Sequence, residues 1–347
     1  MIQELINRYK RIRTERLLRQ TYKWQYAFVG MGQHSLTNLY PVLHYLGVPL
    51  RYICVTSERK ARLIEQKFPG TKATTSLDEV LNDDTVKGII VSASPSAHFS
   101  LASQVLRSGK SLFIEKPPCR TLAELDTLID LQRLHGSPVV MVGLQKRYAP
   151  AVQLLKERLR KERLVSYDLH YLTGAYPEGN ALSNLYIHPL DLVCHLFGQP
   201  DVLACQQPTD GSCLLMLRHP HIVGTLELST LYSWTDAEDS LKVCTRSGLY
   251  RLTKTEELTF TPSPRAIANI PLEKLRPHHK TVAYLHECNN SIPILHNNQV
   301  YAQGYFNELS AFVYAVENNE DRTASSLETI RDTYRLMDRL EEILTSK

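Results

Sequence analysis

Short apolar segments alternate with segments of helical periodicity between residues 25 and 145, and this alternation restricts the fold more than any other feature. Apolar strands separated by helices are typical of a parallel sheet with both faces covered. Ligands of such sheets bind beyond the carboxyl ends of the strands. The strands are predicted at YAFVG (26–30), PLRYICVTS (49–57), VKGIIVSAS (86–94), KSLFIEK (110–116) and SPVVMVGLQKR (137–147).

The texture changes after this region. From about residue 160 to 260, strand-like runs alternate apolar and polar residues, as expected for an antiparallel sheet with one covered face. Residues 262–298 show no clear period and are predicted to be loop, and amphipathic helices are predicted at about 302–318 and 325–345. The sequence predicts an α/β domain with a doubly wound parallel sheet (25–145) and an α+β domain with a large, mostly antiparallel open sheet (146–300). C-terminal helices (301–347) follow, and we expect the last to pack on the first domain.

Composition excludes several classes of protein. An apolar content of 43% argues against disorder, and a small net charge of +4, with basic residues scattered outside the first twenty positions, gives no nucleic-acid footprint. No apolar run approaches the roughly 18 to 20 residues of a membrane span, and no signal peptide is recognisable. The seven cysteines lack the spacing of a zinc site or disulfide framework. We expect a cytoplasmic protein without metal.

Residues 1–24 are predicted to form a basic amphipathic helix, with apolar positions Ile2, Leu5, Ile6, Tyr9 and Ile12 at helical spacing. Such a helix can suit a membrane surface or a transit peptide. Its acidic residues and few serines argue against import. A surface helix docked on the first domain or on a partner subunit is the favoured interpretation.

A glycine turn ends the first strand. Glycines at the first two positions of G-x-G-x-x-G permit a tight turn and let the backbone approach a pyrophosphate, which the following helix N-terminus stabilises. Serine replaces the third glycine, where a small residue is needed for packing. The turn therefore predicts a dinucleotide site formed by Gly30, Gly32, Gln33, His34 and Ser35.

The second strand ends without the acidic residue that normally binds the adenosine ribose. Thr56 and Ser57 stand there instead, and Arg59 and Lys60 follow. Hydroxyls followed by cations suit a 2′-phosphate, so NADP is favoured over NAD. NAD stays open, because Glu58 could reach back to the ribose.

Four segments together identify a resemblance to the glucose-fructose oxidoreductase, inositol dehydrogenase and MocA family. They are GMGQHS (30–35), SASPSAH (92–98), IEKPP (114–118) and NLYIHPLD (184–191), in the family's order and approximate spacing. The resemblance covers the chain after residue 24 and implies a Rossmann domain followed by an α+β domain. It also implies a sugar-like substrate and a homodimer or homotetramer assembled through the open sheet.

In this family the lysine of the EKP element, here Lys116, lies beside the nicotinamide and the reacting carbon, and the Lys-Pro bond is commonly cis. An ammonium held near the reacting oxygen would stabilise a developing alkoxide. Glu115 is placed by the same element at the cofactor. The alternative is a solvated lysine paired with Glu115.

Relatives carry an aspartate and, four residues later, a histidine on one helix face. His188 matches the histidine and is implied to be the general base, whereas the aspartate position is Asn184. Asparagine can orient the imidazole by a hydrogen bond but cannot stabilise an imidazolium as a carboxylate would. We therefore expect Lys116, His188 and Asn184 to form the catalytic group.

Further positions follow from the resemblance. Ser94, Pro95 and His98 would lie along the nicotinamide ribose, although His98 could equally be a capping or packing residue. Arg147 and Tyr171 are implied to contact substrate, the alternatives being a salt bridge at the domain junction and packing. The remaining candidates are Tyr176, more often a packing residue, Asp191, structural or substrate-positioning, and His195, a packed helix residue.

The leading hypothesis is an NAD(P)-dependent oxidoreductase that transfers hydride between the nicotinamide and a secondary alcohol or ketone of a sugar, polyol or nucleotide sugar. The alternative from another class is a dinucleotide-binding sensor or partner subunit with weak or no turnover. A redox-assisted glycosidase or a reductase of a non-sugar substrate stays open within the family's chemistry.

Overall fold

The computed structural model describes residues 1–18, 21–177, 179–264, 266–267, 270–274, 281–289, 291, 294–320 and 323–345. Two large sheets form the frame of the molecule, one entirely parallel and one mostly antiparallel. The predicted fold class is confirmed. None of the helices in the described ranges is long and apolar enough to cross a bilayer.

The first sheet has six parallel strands in the order β3-β2-β1-β4-β5-β6, which places the change of winding direction beside β1. Its central strands are buried on both faces, in agreement with their continuous apolar runs. The sequence prediction did not include β3, which is only three residues long. The strands are β1 Gln25–Val29, β2 Leu50–Cys54, β3 Lys72–Thr74, β4 Val86–Val91, β5 Ser111–Glu115 and β6 Val140–Gly143.

Helices connect these strands and cover the sheet. Ser57, Ser76 and Thr121 each cap a helix by accepting a hydrogen bond from the amide three residues on, so these boundaries are encoded locally. The glycine turn leads into a π-helical segment, Ser35–Leu39, which continues as an α-helix. The α-helices are α1 Ile2–Leu18, α2 Tyr40–Leu46, α3 Glu58–Lys67, α4 Leu77–Leu81, α5 Pro95–Arg107 and α6 Leu122–Leu134.

The second sheet has eight strands in the order β16-β13-β12-β11-β7-β10-β9-β8, and β7 and β10 are its parallel pair. Residues 248–262 form a hairpin of two strands, because Lys254 and Thr255 adopt left-handed backbone angles and reverse the chain. The strands are β7 Leu164–Leu172, β8 Asp201–Gln206, β9 Ser212–His219, β10 Ile222–Ser229, β11 Glu238–Thr245, β12 Gly248–Thr253, β13 Glu257–Pro262, β14 Ala266–Ile267, β15 Ile270–Pro271 and β16 Ala283–His286.

The predicted loop at 262–298 therefore contains short strands. The β14–β15 pair forms a separate small ribbon, and β16 extends the large sheet. Residues 265, 268–269, 275–280, 290 and 292–293 of that predicted loop lie outside the described residues.

One face of the second sheet is covered by helices. The remaining elements are α7 Pro150–Leu159, α8 Ala181–Asn184, α9 Ile187–Phe197, α10 Gln299–Ala302, α11 Tyr305–Asn318 and α12 Arg331–Thr345, with short 3₁₀ turns at Gln145–Tyr148, Leu272–Lys274 and Leu295–Asn297. Helix α11 packs on the parallel sheet, where Phe312 meets Phe113 with ring centroids 5.8 Å apart. Helix α12 lies at the junction, and Tyr334 donates a hydrogen bond to the carbonyl of Cys119 (2.8 Å).

Helix α1 does not dock on the first domain. The side chains of residues 1–15 are all exposed, and residues 19 and 20 lie outside the described chain. The chain joins the body at Tyr22 and Lys23, where the Tyr22 hydroxyl donates to the Leu46 carbonyl (2.6 Å) and the Lys23 amide donates to Glu317 (2.7 Å).

Candidate active site

The glycine turn forms the floor of a cleft at the carboxyl edge of the parallel sheet. Gly30 has a φ of +86°, and a Cβ there would lie 2.2 Å from the carbonyl oxygen of Ser92. A Cβ at Gly32 would meet nothing within 4 Å, so this glycine leaves open space above the turn. The cleft has a volume of about 580 Å³, and its lining includes Gly30, Gly32, Gln33, His34, Ser35, Thr56, Lys60, Thr75, Ser92 and Ser94.

Ser35 shows why serine is tolerated at the third glycine position. Its side chain is buried, and its hydroxyl donates a hydrogen bond to that of Ser92 (2.9 Å). The small residue thus ties the first helical turn to the end of β4. The cleft accordingly fits a dinucleotide, with an open backbone turn next to a helix N-terminus.

The end of β2 divides the predicted ribose contacts. Thr56 and Lys60 line the cleft. Ser57 instead caps α3, where its hydroxyl accepts from the Lys60 amide (3.4 Å), and Arg59 is exposed outside the cleft lining. Glu58 accepts a hydrogen bond from the Thr75 hydroxyl (2.8 Å), so its carboxylate is held by β3 and its following turn.

The end of β5 brings charged groups to the same edge. The Lys116–Pro117 peptide bond is cis, as the resemblance implies. The ammonium of Lys116 donates to the backbone carbonyl of Asn184 (2.6 Å), which crosses from the first domain to the second. Glu115 is buried over Gly143, where a Cβ would lie 2.9 Å from its carboxylate, and it contacts Nε2 of His34 at 3.3 Å.

His98 connects the end of β5 to the end of β4 through two backbone carbonyls. It is buried, with Nδ1 2.7 Å from the Pro117 carbonyl and Nε2 3.0 Å from the Ala93 carbonyl. Burial lowers the pKa of His98, although the two carbonyls and Glu115 oppose this effect. The structural alternative for this residue therefore has direct support, while its ring also borders the space beside Lys116.

His188 lies where the two domains meet. Burial and the cations Lys116 and Lys146 hold the pKa of His188 well below its usual range. Its Nδ1 is buried without a hydrogen-bond partner among the described residues. A neutral imidazole can therefore offer its other nitrogen, Nε2, as an acceptor.

Asn184, predicted to orient His188, does not bond its Nδ1, which has no hydrogen-bond partner among the described residues. The reason is local: α8 ends at Asn184, Leu185 and Tyr186 form a turn, and α9 begins at Ile187. The two residues therefore do not share one continuous helix face. Asn184 instead contributes its backbone carbonyl to Lys116.

A niche of about 290 Å³ joins these groups. It is lined by His34, Ser92, Ala93, Pro95, His98, Glu115, Lys116, Gln145, His188 and Tyr305. His34, Ser92 and Ala93 also line the cleft, so the niche continues the dinucleotide site. The structure thus brings Lys116 and His188 to one cavity.

Beyond the niche lies an outer pocket of about 630 Å³ in the second domain, and Gln145, His188 and Tyr305 border both. Lys146 forms an ion pair with Asp239 in its wall and lies over the Tyr171 ring, 4.9 Å from the centroid. The pocket lining includes Tyr171, as predicted, and six residues that were not: Lys146, Trp234, Glu238, Asp239, Gln303 and Tyr305.

Tyr305 and Glu308 come from the start of α11, which corresponds to the amphipathic helix predicted at about 302–318, and neither was predicted as a site residue. The Tyr305 ring meets His34 edge to face with centroids 5.8 Å apart. Glu308 is fully buried, and neither carboxylate oxygen has a hydrogen-bond partner among the described residues. Burial, and then the nearby carboxylate of Glu115, raise the pKa of Glu308 well above its usual range.

Arg147, predicted to contact substrate, instead forms a salt bridge at the domain junction, which was its alternative. It is 2% exposed and forms a bidentate pair with Asp191, Nε to Oδ2 at 2.8 Å and Nη2 to Oδ1 at 2.5 Å. It also donates to the Ala324 carbonyl and to Thr329. With its donors used in this way, Arg147 ties the domain junction together and does not line the outer pocket.

The other candidates lie outside the niche. Asp191 also accepts from Thr333 (2.9 Å), which gives it a structural place. His195 contacts the ammonium of Lys156, and burial together with the nearby cations lowers the pKa of His195 to about 3. Tyr176 packs against the core. Within the described part of the chain, no group of three or more histidine, cysteine or acidic side chains is arranged to hold a metal ion.

Residues 24–144 match the family described as an oxidoreductase family with an NAD-binding Rossmann fold. The uncharacterized oxidoreductase YhhX of Escherichia coli is 30% identical over 192 residues, 51% of this chain and 55% of the relative. Inositol 2-dehydrogenase of Salmonella typhimurium is 25% identical over 207 residues, 57% of this chain and 62% of the relative. The chain thus spans little more than half the length of these relatives.

Solved structures share the fold over nearly the whole chain. A dehydrogenase from Chromobacterium violaceum has a TM-score of 0.78 at 20% identity and covers 93% of this chain and 96% of its own. An Agrobacterium radiobacter oxidoreductase in complex with NAD+, L-tartaric acid and magnesium has a TM-score of 0.74 at 13% identity, covering 92% and 96%. The 3-ketoreductase KijD10 of Actinomadura kijaniata, in complex with TDP-benzene and NADP, has 0.71 at 14% identity, covering 92% and 96%.

Proposed function

Residues 24–144 belong to the oxidoreductase family with an NAD-binding Rossmann fold, and from this premise we propose that the protein is an NAD(P)-dependent dehydrogenase. It would transfer hydride between the nicotinamide and a secondary alcohol or ketone of a sugar-like substrate. One observation carries the proposal: Lys116 and His188 line a niche that is continuous with the dinucleotide cleft on one side and the outer pocket on the other.

The substrate class is inferred from the outer pocket. Its wall carries amide, hydroxyl, carboxylate and ammonium groups beside the rings of Tyr171 and Trp234. Polar groups of both hydrogen-bonding senses beside aromatic rings suit a polyhydroxylated ring with an apolar face. The matched inositol 2-dehydrogenase and 3-ketoreductase agree with this class in their names.

His188 and Lys116 would act on the reacting hydroxyl together. In the oxidation direction, Nε2 of the neutral imidazole takes the hydroxyl proton. The ammonium of Lys116 stabilises the negative charge that develops on the same oxygen. The bound nicotinamide supplies the hydride acceptor. The ion pair of Lys146 and Asp239 would position the substrate in the outer pocket.

The lysine of the pair is oriented across the domain interface. The Asn184 carbonyl holds its ammonium. No carboxylate among the described residues bonds Nδ1 of His188, so an imidazolium formed there gains little local stabilisation. We expect this to lower the turnover number relative to an enzyme in which a carboxylate contacts that nitrogen.

The cofactor is proposed to be NADP in preference to NAD. Thr56 and Lys60 line the cleft at the end of β2, where they can bind a 2′-phosphate. Glu58, the acidic residue that could have bound a free ribose hydroxyl, is engaged by Thr75. A 2′-phosphate would also lie near the N-terminus of α3, which favours negative charge.

The test is a substrate screen with the purified protein, in which nicotinamide absorbance is followed with myo-inositol, other polyols, hexoses and nucleotide sugars. We expect turnover with at least one of them. Lys116→Met should then lower kcat by about 10² to 10³, because one oxyanion-stabilising donor is lost, while cofactor affinity changes little.

Lys156→Met is the matched control, since it removes a partly buried lysine whose ammonium contacts His195, away from the niche. Turnover by this variant should match that of the unaltered protein. Equal loss of kcat in both lysine variants would show that Lys116 has no chemical role. Cofactor binding with no turnover across the whole panel would favour the dinucleotide sensor instead.

The open face of the second sheet is the proposed self-association surface. Leu214, Met216 and Val223 point away from the helices and are exposed at 38% to 44%. Analytical ultracentrifugation should show a dimer or tetramer, and Met216→Lys should shift it towards monomer. A monomer at all concentrations would exclude this assembly.

A further inference from the structure

Helix α1 carries an apolar face that the rest of the described chain leaves uncovered. Ile2, Leu5, Ile6, Tyr9 and Ile12 recur every three or four residues, which places them on one side of the helix. Their exposed fractions run from 40% for Ile6 to 76% for Ile2. Five large apolar side chains in one exposed stripe indicate a surface that binds something.

The same segment concentrates the charge of the molecule. Residues 1–20 contain six basic residues and two acidic ones, an excess of four that equals the net charge of the whole chain, +4. The remainder of the chain is therefore electrically balanced. Arg8, Lys10 and Arg11 lie opposite or beside the apolar stripe, whereas helical spacing places Arg13 and Arg16 along it, so cations both border and interrupt the stripe.

These two properties distinguish the possible binding partners. A second α1 helix would bring like charges together, and the balanced body of another copy offers no net attraction. Nucleic acid would attract the arginines but leave the isoleucine and leucine side chains in water. An anionic lipid surface satisfies both, since acyl chains take up the apolar side chains and headgroups attract the cations.

We propose that α1 is an interfacial helix that binds the protein to the surface of an anionic lipid bilayer. The helix would lie in the plane of the headgroups with Ile2, Leu5, Ile6, Tyr9 and Ile12 inserted and the basic side chains at the phosphate level. No part of the chain crosses the bilayer in this arrangement.

The attachment point of α1 is compatible with cofactor binding. The helix leads through Tyr22 and Lys23 into the amino end of β1, whereas the glycine turn follows the carboxyl end of that strand. Bilayer contact through α1 would thus occur at the opposite edge of the sheet from the cleft. Affinity for the dinucleotide should be the same with and without vesicles.

The experiment is flotation of the full chain with vesicles of phosphatidylcholine alone and of phosphatidylcholine mixed with phosphatidylserine. We expect at least about tenfold stronger partitioning to the mixed vesicles, lost at high salt because the attraction is screened. Leu5→Asp should abolish binding. Arg8→Glu should weaken it by about fivefold or more, since each basic side chain near an anionic surface contributes about that factor.

Leu134→Asp is the control, because Leu134 is also exposed (76%) and lies at the end of α6, outside the helix in question. It should bind vesicles like the unaltered protein. Equal partitioning to both vesicle types, or equal loss in the two aspartate variants, would overturn the proposal. The proposal would also be overturned if the protein did not bind vesicles but formed an oligomer or a nucleic-acid complex that was lost in Leu5→Asp.

Discussion

The dinucleotide cleft and the outer pocket adjoin opposite sides of the niche that holds Lys116 and His188, but they are assembled in different ways. The cleft is built from the ends of neighbouring parallel strands, so each contributing segment is a short motif that follows its own strand. The outer pocket takes small groups of side chains from six separated stretches of the second domain and the C-terminal helices. One site is therefore encoded locally, and the other depends on how distant segments are brought together.

This difference predicts how the two sites respond to substitution. A change in the cleft should act through the backbone of one turn. A change around the outer pocket should act through pairs of side chains, one partner from each segment.

The largest effect is expected at the junction behind the outer pocket. Arg147→Met leaves the carboxylate of Asp191 buried beside Thr333 without its cation. Breaking a buried pair in this way costs about 3 to 5 kcal/mol of unfolding free energy, measurable by urea denaturation. The substrate KM of the folded fraction should not change.

A second variant separates architecture from substrate contact. Arg147→Met combined with Asp191→Leu removes both charges and should recover most of the lost stability. A raised KM with normal stability in Arg147→Met would instead return this arginine to the substrate site.

The next effect concerns the cleft and contrasts two glycines of one turn. Gly30→Ala places a Cβ against the Ser92 carbonyl at a positive φ, and we expect a loss of at least about 2 kcal/mol in unfolding free energy. In Gly32→Ala the added Cβ has no protein atom within 4 Å, so the free energy of unfolding should not change. NADP affinity should fall about tenfold, because the pyrophosphate of the dinucleotide would pass close to this position. Unfolding curves and cofactor titration measure both.

Unchanged cofactor affinity in Gly32→Ala would show that the dinucleotide does not approach this part of the turn. A stable Gly30→Ala would show that the turn adjusts more easily than its contact with β4 implies. Either result would weaken the view that the cleft is set by one local motif.

Adjacent residues show why sequence alone predicted the cleft better than the pocket. Gly30, Gly32 and Lys116 follow directly from a strand end, and strand ends can be read from apolar runs. Lys146 and Arg147 are neighbours in a 3₁₀ turn, where successive side chains point about 120° apart, and only the first reaches the outer pocket. The sequence alone does not determine that orientation.

The expected hydrogen bond between Asn184 and His188 is absent at Nδ1 for a related reason. Its spacing from His188 is that of one helix face, but the chain breaks at Leu185 between α8 and α9. The roles of Asp239 and Tyr305 could not be predicted from the sequence either, because the residues that they contact lie far along the chain. The parallel-sheet fold and strand-end residues were thus predictable, whereas side-chain pairs between segments were not.

A smaller effect is expected from the cation at the end of β2. Lys60→Ala should weaken NADP binding by about fivefold to tenfold and leave NAD binding unchanged, since it removes one charge beside the 2′-phosphate. Lys67→Ala, at the last residue of the same helix, is the control for net charge. Equal weakening of both cofactors would contradict the assignment of Lys60 to the phosphate.

The smallest effect is a shift in pH dependence that links the two sites. Lys146 and Lys116 both lower the pKa of His188, so Lys146→Met should raise it, and the unpaired carboxylate of Asp239 would add to the rise. The acid limb of kcat/KM for alcohol oxidation should then move to higher pH by roughly half a unit to one unit. The same variant leaves Lys116 in place, so the shift measures the contribution of Lys146 to the pKa of His188.

The pH dependence of the free energy of unfolding should also reflect the lowered pKa of His188. A histidine with a lowered pKa in the folded state binds its proton more readily when unfolded, so stability is full above the ordinary value near pH 6.5 and is lost as pH falls below it. Lys146→Met should make that loss smaller. Lys242→Met, whose ammonium contacts Asp168 on the same sheet, should change neither profile. An unmoved acid limb in Lys146→Met would mean that the pocket cation does not act on His188, and the two sites would then be electrostatically independent.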